Sequence, residues 1–191
     1  MLKLVIGLGN PGRQYDNTPH NVGFHAVDVL AQRHGGAWAE ERRFEAMTAE
    51  IRLAGQKVTL MKPLTYMNLS GRSVKAWQSK NGGEPADFLV ISDDIHLPMG
   101  QLRIRPGGSH GGQKGLLSVI NSLGTLDVPR LRVGIRPTGG DVADMVSYVL
   151  ARVRPADRDA FEMSWQDTAD AIEMVAEKDL LTAMNRYNRK G

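Results

Sequence analysis

VIGLGNPGRQYDNTPHNVGF, residues 5–24, runs from a short apolar segment, Leu4 to Ile6, into a turn holding three glycines, Asn10 and Pro11, and then to His20 just ahead of an apolar periodic segment. That order predicts a buried strand that delivers Asn10 to its carboxyl end, with His20 at or near the start of the first helix. In an open α/β sheet, ligands bind in the crevice beyond the carboxyl ends of the strands. Asn10 and His20 are therefore the first candidates for a functional site.

Gly7, Gly9 and Gly12 satisfy G-x-G-x-x-G after a strand, the dinucleotide-binding pattern. That fingerprint needs a helix opening inside the motif, so that its N-terminus meets a pyrophosphate. Here Pro11 disfavours the α region at Asn10, and GRQYDNTPHN continues as loop. The glycines are read as shaping a tight turn at positive φ, and no cofactor is expected. A nucleotide-dependent oxidoreductase would rest on this motif alone.

Working outward, Val22 to Arg33 carries apolar residues at 24, 27, 30 and 31, the pattern of an amphipathic helix ended by Gly35 and Gly36. Phe44 to Leu53 reads as a strand that turns at Ala54-Gly55 into a second strand, Lys57 to Met61, closed by Pro63. Val74, Trp77 and Lys80 predict a short helix ended by Asn81-Gly82-Gly83. Asp87 to Ser92 is a near-continuous apolar run of the kind found in central parallel strands, and it delivers Asp93 and Asp94 to its end. Gln101 to Arg105 and Arg130 to Arg136 read as strands, Leu116 to Leu123 as a helix, and the chain from Val142 onward as two helices separated by Pro155. Strands and helices alternate, which predicts a single α/β domain over residues 1–191 with a mixed, mostly parallel central sheet flanked by helices.

Composition narrows the function classes. Of 191 residues, 41% are hydrophobic and 24% charged, ordinary for a soluble globular chain. No cysteine is present, which excludes disulfides and thiolate metal sites and fits a reducing cytoplasm. The N-terminal apolar run is too short for a signal peptide, and no segment approaches the ~20 apolar residues that span a bilayer. The net charge of +3 is unevenly spread. Arg103, Arg105, Lys114, Arg130, Arg132 and Arg136 fall in the middle, while Asp157 to Asp179 is mostly acidic, which points to a local basic face for a polyanionic partner.

Several motifs then stand together: GLGNPG at 7–12, Tyr15 with His20-Asn21, TYMNLSG at 65–71, DDIHLP at 93–98 and GGSHGG at 107–112. In this order the chain closely resembles bacterial-type peptidyl-tRNA hydrolases, strongly over Leu4 to Leu150 and more loosely in the C-terminal helices. The resemblance implies cleavage of the ester joining a peptide to the 3′ end of tRNA, rescuing tRNA from prematurely released chains. It also implies one α/β domain, a cytoplasmic monomer, and neither cofactor nor metal. Carried over residue by residue, His20 is the catalytic base and Asp93 its partner. Asn10 and Asn68 are amides that position substrate and water, and Tyr15 and Met67 line the same cleft. Gly111 and Lys114 belong to the substrate-binding loop, and Arg103, Arg105 and Arg132 align with basic positions near the tRNA 5′-phosphate. Two positions depart from the family pattern. Pro19 stands where Arg is usual, and Lys114 stands where Asn commonly clamps substrate and water. Lys114 is expected instead to contact nucleic acid or a substrate carboxylate.

The residue types suit this chemistry. Histidine has an ordinary pKa of about 6.5, so a neutral imidazole is present at cellular pH to activate water. A carboxylate on its other ring nitrogen fixes the tautomer and stabilises the imidazolium that forms. Amides such as Asn10 and Asn68 offer a donor to developing oxyanion charge. Arginines two apart on a strand share a face, and their fork matches phosphate oxygens. Asp93, Asp94 and His96 lack a cysteine or second histidine at ligand spacing, so no metal site is expected. A domain that binds RNA without hydrolysis is the competing reading, and the retained Asn10, His20, Asn68 and Asp93 argue against it.

Overall fold

The computed structural model describes residues 1–139 and 142–188; the expected domain range of 1–191 thus includes five positions, 140, 141 and 189–191, outside the described residues. At the centre of its sheet lies β1 (Leu4–Gly7), paired in parallel with β4 (Gln56–Pro63) on one side and β5 (Phe88–Pro98) on the other. A third parallel pairing joins β5 to β7 (Arg130–Arg136). Antiparallel strands finish both flanks. β3 (Ala46–Leu53) pairs with β4 and then with the short β2 (Ala39–Glu41), and β6 (Leu102–Arg105) closes the far edge on β7. The order is β2-β3-β4-β1-β5-β7-β6, a single mixed sheet of seven strands whose central four run parallel.

Alternation along the strands splits the core into two layers. Val5, Leu60, Leu89 and Ile91 pack beneath α1 (Val22–Arg33) and α5 (Arg158–Glu177), with α6 (Leu180–Tyr187) beside them. Leu4, Ile6, Met61, Phe88 and Val90 face the opposite way, against α2 (Ser70–Asn81) and α3 (Lys114–Leu123). Full burial of such side chains contributes about 1.5–3 kcal/mol each, so both faces of the central strands hold the layers together. That explains why these strands read as unbroken apolar runs.

Two glycines set where α1 begins. A Cβ on Gly7 would overlap the carbonyl oxygen of Gly23, and one on Gly23 would lie 2.7 Å from the carbonyl oxygen of Ile91. The first turn of α1 therefore rides directly on the backbones of β1 and β5, and the residues just before it are held at the carboxyl end of the sheet. Only Gly12 of the three motif glycines adopts positive φ, at 113°. The expectation of a turn built from positive-φ glycines is corrected in that respect: Gly7 and Gly9 are small because α1 passes too close for a side chain, Gly9 meeting the ring of Phe24.

Other differences have local causes. β5 continues through Asp93 and Asp94 to Pro98, with an irregularity after Asp94. The polar residues ended the apolar signal but not the pairing with β7. The strand expected from Phe44 starts at Ala46, because Arg42–Phe44 forms a 3-10 turn and Glu45 takes a left-handed conformation. Among the described residues the C-terminal region holds three α-helices rather than two. α4 (Met145–Leu150) precedes Pro155, and α5 and α6 are separated by Asp179, whose carboxylate caps α6 by accepting from the Thr182 amide.

Candidate active site

Beyond the carboxyl ends of β1 and β5 lies a cavity of about 550 Å³. Its walls come from the β1–α1 loop, the turn before α2, the end of β5, the loop before α3, and α4. Asn10, His20, Met67, Asn68, Asp93, Gly111, Lys114 and Arg132 all line it.

His20 occupies the 3-10 turn Pro19–Asn21 that leads into α1. Proline suits the first position of such a turn, since its missing N–H has no partner there and its φ is already set. The His20 ring meets Asp93 through Nδ1 and Oδ2 at 2.8 Å, with Asp93 only 5% exposed. An ionised carboxylate only accepts, so Nδ1 carries the proton and Nε2 is left as the basic nitrogen. Burial works against the charged ring, but the charge of Asp93 and its hydrogen bond outweigh burial, and the His20 pKa stands above its ordinary value.

Asn10 is nearly buried and its amide is oriented without ambiguity. Its Oδ1 accepts from the backbone N–H of Met67 at 2.8 Å, which leaves Nδ2 as the donor end of an amide that lines the cavity. Asn21, the residue after His20, brackets Asn10: its Oδ1 accepts from the Asn10 amide at 2.8 Å and its Nδ2 donates to the Asn10 carbonyl at 3.0 Å. Met67 and Asn68 sit in the 3-10 turn ahead of α2, Met67 buried and Asn68 exposed. The absence of a side chain at Gly115 lets Met67 approach α3, because a Cβ there would overlap its sulfur.

Gly111 and Lys114 enter from the 106–113 loop and the first residue of α3. Both are exposed. A side chain on Gly111 would put its Cβ 2.8 Å from Nη2 of Arg132. Arg132 itself contacts Oδ2 of Asp94 at 2.7 Å. Across the antiparallel β6–β7 pair, Arg103 lies opposite Arg132 and Arg105 opposite Arg130, so the four side chains share one face. They differ in environment. Arg130 is 1% exposed and donates to the carbonyls of Val128, Gly108, Ser109 and Leu126, which makes it a strut for the loop before α3. Arg105 is exposed, and Arg103 is half-buried with an unpartnered Nε.

Three expected site residues stand off the cavity wall. Arg103 and Arg105 lie on the neighbouring basic face, and Tyr15 is half-buried in the turn Arg13–Tyr15, where its carbonyl accepts from the Thr18 hydroxyl. Other cavity residues went unread in the sequence. Gln113 donates to Oδ1 of Asp93 at 2.9 Å, and Tyr66 and the apolar residues of α4 complete the walls. The only sequence signal for Gln113 was its place between a glycine-rich loop and a helix.

The fold and site define an α/β protein with a histidine–carboxylate pair in an open cleft at the carboxyl end of its sheet, beside a row of arginines. The family model for peptidyl-tRNA hydrolase matches residues 4–191. The chain belongs to the peptidyl-tRNA hydrolase family and falls in that class of enzyme. It is 46% identical over 186 residues to the peptidyl-tRNA hydrolase of Chloroflexus aurantiacus, covering 97% of this chain and 98% of that one. It is equally 46% identical, over 191 residues, to that of Symbiobacterium thermophilum, covering 98% and 100%. The crystal structure of peptidyl-tRNA hydrolase from Acinetobacter baumannii superposes with a TM-score of 0.90 at 29% identity, over 98% of this chain and 94% of that one.

Proposed function

We propose that this chain hydrolyses the ester between the peptide and the 3′-terminal ribose of peptidyl-tRNA, with His20 activating water and Asp93 orienting His20. The observation that carries the reading is the 2.8 Å contact between His20 Nδ1 and Asp93 in a solvent-reachable cavity. Nε2 of His20 takes a proton from water, and the hydroxide oxygen attacks the ester carbonyl carbon. The oxyanion is met by a donor already in place, Nδ2 of Asn10. The bond to the ribose 3′-oxygen then breaks, and the proton held by His20 passes to that oxygen. The products are a peptide with a free carboxyl group and a tRNA with its 3′-hydroxyl. An ester needs neither a metal nor a covalent nucleophile for this route.

The cavity is of small-molecule size and admits the aminoacyl-ester end of a substrate, not a folded tRNA. The body of the tRNA is assigned to the arginine face, with Arg103, Arg105 and Arg132 on phosphates. Asn68, Gly111 and Lys114 hold the substrate's 3′ end, and Met67 shapes the floor. Tyr15 is assigned to the substrate path outside the cavity. The whole of residues 1–191 acts as one cytoplasmic, monomeric unit that returns tRNA to translation. Among the described residues no helix is long and apolar enough to cross a membrane. The test is turnover of a purified peptidyl-tRNA by wild type and His20→Ala. Hydrolysis should vanish in the variant while tRNA binding survives, and an active His20→Ala protein would overturn the reading.

A further inference from the structure

We propose that Gln113 is a positioning residue for hydrolysis, holding Asp93 in the orientation that His20 requires. The inference rests on the His20–Asp93 reading above. Oε1 of Gln113 accepts from the backbone N–H of Leu116 at 2.7 Å, capping α3. A backbone N–H can only donate, so the other end of the amide must be the NH₂ group. That group donates to Oδ1 of Asp93 at 2.9 Å and lies 3.3 Å from the sulfur of Met67. Asp93 is thereby held at both oxygens, Oδ1 by Gln113 and Oδ2 by His20.

These contacts close a ring through the site. From Asp93 it passes to His20, along the chain to Asn21, across to Asn10, to Met67 and Gln113, and back to Asp93. Gln113 is the member that ties this ring to the first turn of a helix, so α3 fixes the carboxylate much as α1 fixes the imidazole. Its NH₂ also disperses the carboxylate charge, which limits how strongly Asp93 retains a proton on His20. The remaining ionisable groups around the cavity are Asp94, paired with Arg132, His96, His110, Lys114 and Tyr66; α4 brings only apolar side chains. The His20 ring is hydrogen-bonded to Asp93 rather than to any of these.

Gln113→Glu separates positioning from folding. Glutamate keeps an acceptor for the Leu116 N–H and places negative charge at a helix N-terminus, where it is favourable. It replaces the donor to Asp93 with a second carboxylate, which raises the proton affinity of the whole group. The expected result is a folded protein whose melting temperature at pH 7 falls modestly, because two carboxylates then share a buried site, with unchanged tRNA binding. kcat at pH 7 should fall about tenfold or more with KM held within about twofold, and the acid-side midpoint of the rate should move up by about one pH unit. Gln113→Ala should lose kcat together with some stability. Wild-type kcat and midpoint in Gln113→Glu would overturn the inference, as would a lowered kcat with an unmoved midpoint. His20→Ala measured alongside tells the failures apart. If it is inactive while Gln113→Glu behaves as wild type, only the role of Gln113 falls. If it is active, the reading beneath falls as well.

Discussion

The backbones of Gly7 and Gly23 meet with no room for a side chain between them: a Cβ on Gly23 would lie 2.5 Å from the amide nitrogen of Leu8. This approach lets the start of α1 settle on the end of β1 and carries His20 towards Asp93. Gly23→Ala gains about 0.5–1 kcal/mol of helix propensity, but overpacking costs about 1–3 kcal/mol, so the overlap wins. The expected outcome is a melting temperature lower by several degrees, read by thermal denaturation, with kcat reduced because His20 is pushed off its partner.

A second prediction concerns the His20–Asp93 pair itself. On the proposed mechanism the active form of His20 is neutral, and burial is outweighed by Asp93, so its pKa is raised. The rate should therefore decline on the acid side with a midpoint above about 6.5, the ordinary histidine value. In Asp93→Asn the charge that raises the pKa is gone and burial remains. The midpoint should shift to lower pH while kcat falls by about 100-fold or more. A pH–rate profile of both proteins checks this, and a profile flat from pH 5 to 8 would contradict the mechanism.

Legibility in the sequence followed the physics of each segment. α1 was readable to its ends because apolar spacing and the Gly35-Gly36 stop agree, and the β3–β4 hairpin because Ala54-Gly55 divides two strand-like runs. β2, with the sequence AEE on an edge, has no buried face and so no hydrophobic signature. β5 was readable only to Ser92, since a strand that leaves the core for a polar cleft loses its apolar pattern while keeping its ladder to β7. In the site, the motifs pointed to Asn10, His20, Met67, Asn68, Asp93, Gly111 and Lys114, which line the cavity, and to Tyr15, which does not. They did not show that Asn21 brackets Asn10 or that Gln113 grips Asp93, because those contacts depend on rotamers and on loops meeting. Arg130 and Arg132 looked alike as a pair two apart, yet one is a buried strut and the other a half-buried, cavity-lining charge paired with Asp94.

That separation is itself testable. Arg130→Met strips donors from four carbonyls in and around the loop before α3. Leaving buried acceptors without partners costs about 1–3 kcal/mol per group, so this variant should be destabilised by about 3 kcal/mol or more in urea unfolding. Arg105→Ala removes an exposed side chain and should stay within about 0.5 kcal/mol of wild type. The binding readout should be reversed: Arg105→Ala weakens tRNA binding and lowers the log–log salt slope by about 1. Equal stability of the two variants would refute the division of labour.

Lys114 is the residue at which stability and function should pull in opposite directions. It is exposed at the first position of α3, where no acidic residue offsets the positive end of the helix dipole. A cation there is unfavourable to the helix, by about 0.3–1 kcal/mol relative to an anion of the same reach. Folding therefore gives no reason for a lysine at this point, whereas the proposed role of this loop in holding the 3′ end of an anionic substrate does. Lys114→Glu should melt at a temperature equal to or slightly above wild type, while its KM for peptidyl-tRNA rises several-fold and the effect fades as salt is added. Lys114→Asn, uncharged, should fall between the two in KM. If Lys114→Asn left both turnover and its salt dependence untouched, the ammonium group would have no part in holding substrate.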